Sequence, residues 1–246
     1  VLGHALLHSV WQVSLVAAAL WVVLRALEGG DPRVRYGAGV AAMLLAPALF
    51  VVTAASAWDP VAVEGVTLAA LAEVVQPVRP VVPAAVTPEA VAWQPLLVGA
   101  WGCGVVVFSL LFLSGLLQTR RLKTDGVAAV EAALQAKVDA LAASLGMQRA
   151  VPVRLSRLVA VPQVVGALRP VILLPGAVLS GLSPAQLESI LLHELAHIRR
   201  GDLWVGLLQG LVEIGLFFHP GVWWISRRIR AERELCCDDV VAARLD

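Results

Sequence analysis

Charge is scarce in this sequence: Asp, Glu, Lys and Arg make up 15% of its 246 residues, where soluble domains run at about a quarter. So thin a polar shell, with 59% hydrophobic residues and a mean hydropathy of +0.81, points to lipid contact. An excess of either sign is also missing, since the net charge is +1; that removes the bulk case for direct nucleic-acid binding. Lysine is nearly absent, with only Lys123 and Lys137, a bias of composition and not of mechanism. Three cysteines cannot build a disulfide framework. Cys103 lies in an apolar run, while Cys236 and Cys237 are adjacent and beside acidic residues, so reduced thiols and a cytosolic setting for that pair are expected. A cleavable leader is not expected either, because the first apolar run has no basic start and no suitably placed small-residue cleavage site. The chain starts at Val1 and stops inside a helical pattern at Asp246, as a fragment would.

What is present, first, is three uncharged apolar stretches, roughly 1–24, 36–58 and 96–117. Each approaches the ~20 residues that cross a bilayer core. Trp11, Trp21, Trp58, Trp93 and Trp101 lie in or beside them, several where an interfacial belt would fall. Arg25, Arg33 and Arg35 mark the first connection, and Arg120, Arg121 and Lys123 follow the third stretch. Positive loops stay cytoplasmic, so the N-terminus and the Pro-rich loop 59–93 (Pro77, Pro80, Pro83, Pro88) are expected outside. Residues 1–117 then form a transmembrane region, and 118–246 a cytosolic domain.

That domain opens with apolar residues at helical spacing, Val127, Val130, Leu134, Val138, Leu141 and Leu145, closed by Gly146. Two strands are predicted, at 151–155 and 170–174, the second ended by Pro175-Gly176. The next helix has a clear start, with Ser183 as N-cap, Pro184 in the first turn and Gln186 completing a capping box. No internal repeat occurs.

This helix carries His193-Glu194-Leu195-Ala196-His197. Residues four apart share a helix face, so both imidazoles can reach one ion. Glu194 falls beside the metal, where it can accept a proton from the attacking water. Two histidines and a carboxylate among Ile190, Leu191, Leu192, Leu195 and Ile198 are costly unless something binds them. A catalytic zinc takes three protein ligands. His4 and His8, four apart in the first span, read as a second metal pair or as polar packing between spans. His219, ahead of Pro220-Gly221, reads as a turn residue. The better third ligand is acidic: Glu234, which shares a helix face with Asp238. Asp238 is assigned as an acceptor orienting a ligand histidine, and Glu232 is expected to pair with neighbouring arginines. Spacing alone leaves this acidic cluster equally readable as an exposed, salt-bridged face.

The stretch from His193 to Asp202, HELAHIRRGD, resembles the signature of the BlaR/MecR-type membrane metallopeptidases. Pro162-Gln163-Val164-Val165-Gly166 and Arg169-Pro170-Val171-Ile172-Leu173-Leu174-Pro175 are similar to that family as well. So are His219-Pro220 with Trp223-Trp224, Glu232-Arg233-Glu234 ahead of Cys237-Asp238, and His8-Ser9-Val10-Trp11-Gln12. The resemblance implies a mainly α membrane fold, with three N-terminal transmembrane helices and a cytosolic α+β, gluzincin-like domain. It implies one Zn2+ on His193, His197 and Glu234, with Glu194 as catalytic base and Asp202 beside Asp238 in support. It further implies regulated proteolysis in the bacterial cytoplasmic membrane, acting on the protein itself or on a cytosolic repressor; homodimerisation stays open. Readings kept alongside are a housekeeping protease of the HtpX or Ste type and a non-catalytic transducer.

Residues 203–226 are apolar enough to pass as a fourth span, yet crossing would carry Glu234 about 30 Å from the histidines. Pro220 cannot continue a helix interior, so a broken hairpin is expected, with Trp223 and Trp224 either at the membrane interface or in the core. The strand around Val171, Ile172 and Leu173 is the candidate for holding an extended substrate by edge pairing.

Overall fold

The computed structural model describes residues 1–57, 93–176 and 181–245. Apart from Trp93, the Pro-rich stretch 59–93 lies outside them, as does Trp58. The fold is mainly helical with one small sheet, as the sequence predicts. Its first three helices are α1 (Leu2–Ala26), α2 (Pro32–Ser56) and α3 (Trp93–Thr124), each long and apolar enough to cross a membrane. Asp31 caps α2 by accepting from the Arg33 N–H, and Pro32 sits at its first position, where a missing N–H costs nothing. α3 continues beyond the predicted boundary because neither Gly nor Pro interrupts Gln118–Thr124, and it brings Arg120, Arg121 and Lys123 out on the last turns. None of its residues is buried, as expected of a helix whose apolar surface faces lipid.

The stretch predicted as one amphipathic helix divides in two. Val127–Ala129 is a strand (β1), since Gly126 at φ +61° turns the chain into antiparallel pairing with β2 (Val153–Ser156). The helix proper, α4, spans Ala132–Ser144. β3 (Gln163–Val165), not predicted, and β4 (Val171–Pro175) complete a sheet of order β1-β2-β4-β3, with β2 and β4 parallel and β3 antiparallel to β4. β4 is central. Ile172 and Leu174 face a core shared with Val138 of α4 and Leu191, Leu192 and Leu195 of α5 (Pro184–Arg200), while Leu173 faces Val159 and Val165 under the end of α3. Burying such side chains stabilises by roughly 1.5–3 kcal/mol each.

α5 starts with the expected capping box between Ser183 and Gln186. It ends at Gly201, whose φ of +72° lets α6 (Asp202–Gly215) begin at the next residue. α7 (Pro220–Leu245) starts at the proline expected to break the helix. At 1.5 Å per residue, α6 travels about 20 Å away from Asp202, and α7 returns about 21 Å between Pro220 and Glu234. The two lengths match, so Glu234 comes back level with the start of α6.

This hairpin lies among the membrane helices. Val212, Leu216, Val222, Ile225 and Ile229 share one core with Val13, Val16 and Leu20 of α1 and Met43 and Ala46 of α2. On the α3 side, Phe217 stacks on Phe108 at 5.0 Å, and the Trp101 Nε1–H donates to the Gly215 carbonyl at 2.9 Å. Trp224 packs against the shared core, and Trp223 donates to the Phe217 carbonyl. His219 is more than a turn residue: buried, it donates from Nε2 to the Val10 carbonyl at 2.8 Å and accepts from the Gly221 N–H at Nδ1.

Candidate metal centre

α5 presents His193 and His197 one turn apart, and the return of α7 places Glu234 against both. The His193 Nε2 to His197 Nε2 separation is 3.2 Å; Glu234 Oε2 lies 3.4 Å from the first and 3.6 Å from the second. With metal–donor bonds of about 2.0–2.1 Å, tetrahedral zinc sets neighbouring donors about 3.3–3.4 Å apart. The triangle therefore fits one such ion.

Protonation favours a cation there as well. His193 Nδ1 lies 3.0 Å from Asp238 Oδ1, and His197 Nδ1 lies 2.9 Å from Asp202 Oδ2. A carboxylate at each Nδ1 assigns the ring proton to that nitrogen, leaving both Nε2 atoms as lone pairs. Two imidazole Nε2 atoms and a carboxylate oxygen thus converge on one point. The other Glu234 oxygen is held by Arg233 Nε at 3.2 Å, so the carboxylate keeps one oxygen for the centre.

Glu194 points into the same cleft, a cavity of about 570 Å³ lined also by Pro162, Gln163, Val164, Leu207 and Arg233. Burial pushes its carboxyl above the ordinary carboxylate range, against the opposing pull of the two histidines and of a hydrogen bond from the Val164 backbone. For Asp202, burial would raise the pKa, but the bonds from His197 and Tyr36 and the charge of Arg200 outweigh it. The carboxyl is held below its usual range. Cys237 Sγ lies 3.3 Å from His197 Nδ1 and 3.7 Å from Asp202 Oδ2. Burial, then the Asp202 charge, push that thiol up, so it remains a neutral neighbour. His197, Asp202 and Cys237 thus form a hydrogen-bonded cluster rather than a second donor set.

The substrate-strand expectation needs correction. Val171, Ile172 and Leu173 lie on β4, which is paired on both sides, with Ile172 and Leu173 fully buried; no edge remains there to accept a peptide. The strand bordering the cleft is β3, through Gln163 and Val164. Its β-branched Val164-Val165 ahead of Gly166 was the available signal, but three residues are too short to read as a strand. Glu232 pairs with Arg35 of α2 at 2.9 Å, a partner distant in sequence instead of a neighbouring arginine. His4 and His8 stack at 4.1 Å, with Trp11 donating to His8, and no third donor joins them among the described residues. All three cysteines are free thiols.

Comparison with known proteins agrees with the sequence resemblance. One curated relative, the regulatory protein BlaR1 of Bacillus licheniformis, is 36% identical over 91 residues, which cover 37% of this chain and 15% of that protein. The family described as BlaR1 peptidase M56 matches residues 5–246. A membrane protein with three apolar helices and a three-donor cleft, the chain belongs to the BlaR1 M56 peptidase family.

Proposed function

We propose that the chain is a zinc-dependent endopeptidase of the bacterial cytoplasmic membrane, with His193, His197 and Glu234 holding one Zn2+ and Glu194 as the base. The carrying observation is the convergence of two imidazole Nε2 atoms and one carboxylate oxygen at 3.2, 3.4 and 3.6 Å. Zinc bound there would polarise a scissile carbonyl and acidify a nearby water. Glu194, raised in pKa by burial, takes the proton of the attacking water and returns it to the leaving amine. Asp238 and Asp202 hold the two imidazoles in register. A substrate segment in extended form lies along the free edge of β3, whose other edge is taken by β4.

The metal centre faces the cytosol and the N-terminus faces outward. Supporting this, Arg35 in the basic first turn of α2 pairs with Glu232 of α7, so the positively charged end of the bundle lies beside the metal centre. The output is regulated proteolysis, of the chain itself or of a cytosolic repressor, in keeping with the word regulatory in the relative's name.

Glu194→Gln tests the reading. The variant retains stoichiometric zinc and loses both self-cleavage and hydrolysis of an unfolded protein such as casein. Cleavage at wild-type rate would remove Glu194 from the mechanism. A wild type that binds zinc yet cleaves neither would favour a transducer.

A further inference from the structure

The first turns of α2 contact both helices that carry metal-site residues. The Tyr36 hydroxyl donates to Asp202 Oδ1 at 3.0 Å, and the other oxygen of that carboxylate faces His197 Nδ1 at 2.9 Å. The Arg200 guanidinium lies 4.7 Å over the Tyr36 ring and reaches Asp202 Oδ2 at 3.4 Å, so the ring is held by its face as well as by its hydroxyl. One residue earlier, Arg35 pairs with Glu232, two positions before Glu234 on α7. Gly39 permits this close approach: a Cβ there would lie 2.9 Å from Ile229 Cγ1.

Asp202 is buried, and Tyr36 is the one hydrogen-bond donor to its Oδ1 among the described residues. A buried carboxylate oxygen without a donor is costly, so loss of the hydroxyl frees the carboxylate to rotate toward its remaining partners. Such rotation moves Oδ2, and with it the His197 ring. Phenylalanine would fill the same volume and lie equally well beneath Arg200; only the hydroxyl separates the two residues at this place.

We propose that Tyr36 is a positioning residue of the metal centre: it fixes the plane of the Asp202 carboxylate, and through it the direction of His197 Nε2. This rests on His193, His197 and Glu234 being the metal donors. Partners bonded directly to a ligand change metal affinity by about 10–100-fold when lost. Tyr36 stands one bond further out, so its effect falls at or just below the low end, roughly 3–10-fold.

The test uses this chain in nanodiscs, with zinc affinity read by competition with a fluorescent chelator. Tyr36→Phe weakens zinc binding by that factor, whereas a merely structural role would lower the unfolding temperature of the metal-free protein and leave zinc affinity unchanged. In an Asp202→Ala background, which leaves the hydroxyl nothing to orient, Tyr36→Phe adds nothing further, because its action passes through that carboxylate. Equal affinity for wild type and Tyr36→Phe, or additive losses in the double variant, overturns the proposal. Wild type that binds no zinc overturns the donor assignment and this proposal with it, and His193→Ala identifies that case by changing nothing. Should Tyr36→Phe not accumulate, 3-fluorotyrosine decides, since Tyr36 is the single tyrosine of this chain. Zinc loading shifts its 19F resonance, and an unmoved line refutes the coupling.

Discussion

Two carboxylates hold the two histidines at nearly equal distance and with very different exposure, and this separates geometry from environment as the source of metal affinity. Asp202 Oδ2 lies 2.9 Å from His197 Nδ1 with its side chain 3% exposed, whereas Asp238 Oδ1 lies 3.0 Å from His193 Nδ1 with its side chain 68% exposed. A buried hydrogen bond to a charged group contributes about 1.5–3 kcal/mol, and exposed charge pairs contribute about 0.2–1 kcal/mol. At about 1.4 kcal/mol per tenfold, Asp202→Asn weakens zinc binding by about 10–100-fold, and Asp238→Asn by less than about 5-fold. Competition with a chelator of known affinity at pH 7.5 measures both. The Asp202 carboxyl is held below its ordinary range by His197, Arg200 and Tyr36 against the effect of burial. A group depressed in this way contributes fully above the usual Asp value of about 3.9 and loses that contribution only as pH falls through the lowered value. Between pH 5.5 and pH 7.5 the Asp202 carboxylate therefore stays ionised, and its own titration changes nothing in the comparison of wild type with Asp202→Asn. Equal losses at the two aspartates would refute the reasoning, because solvent screening would then have no part in it.

The same structure sets three further outcomes. Val164→Pro removes the backbone donor to Glu194 at an edge strand where proline is tolerated; kcat/KM for peptide hydrolysis falls by about tenfold or more while zinc content is kept, and unchanged hydrolysis would dismiss β3. Gly104→Val places a Cβ 2.0 Å from the Phe217 ring that stacks on Phe108, costing about 1–3 kcal/mol in thermal or denaturant unfolding; Gly102→Val, with nothing within 4 Å, serves as the neutral control. Arg228→Cys, in a chain whose Cys103 is replaced by Ser, is labelled by an impermeant maleimide from the side that carries Arg25 and Arg120; labelling from the opposite side would defeat Glu234 as a ligand.

What the sequence made legible is what local chemistry determines. Uncharged runs mark the apolar helices, Ser183 to Gln186 marks the start of α5, and Pro220 marks the break of the hairpin. The pair His193 and His197 needs only helix periodicity. Spacing alone leaves Glu234, 37 residues beyond His197, equally readable as part of an exposed face; the family resemblance points to it, and Pro220 supplies the break that lets α7 return. The remainder depends on contacts that no spacing encodes. Tyr36 meets Asp202 across 166 positions, and Arg35 meets Glu232 across 197. β4 reads as an edge from its run of Val, Ile and Leu, which suits either place in a sheet, and only the short β3 beside it decides which. Val127 fits a helical period with Val130 and Leu134, but Gly126 in a left-handed conformation and pairing with Ser156 draw it into the sheet.

Polar groups inside the hairpin show why Glu234 arrives at a fixed height. Gln209 on α6 donates to both the carbonyl and the hydroxyl of Ser226 on α7, at 3.0 and 2.8 Å. Ser226 in turn bonds Glu213, and Arg230 reaches Glu213 at 3.4 Å and Ser226 at 2.9 Å. Gln209 and Ser226 are buried, so each must find its partner within the protein. A slip of α7 past α6 by one turn, about 5.4 Å, would leave Gln209, Glu213 and Arg230 unpaired together. The same slip would carry Glu234 out of reach of both imidazoles, whose separations of 3.4 and 3.6 Å leave no slack for it. Polar residues that look misplaced in an apolar hairpin thus set the register on which the donor triangle depends.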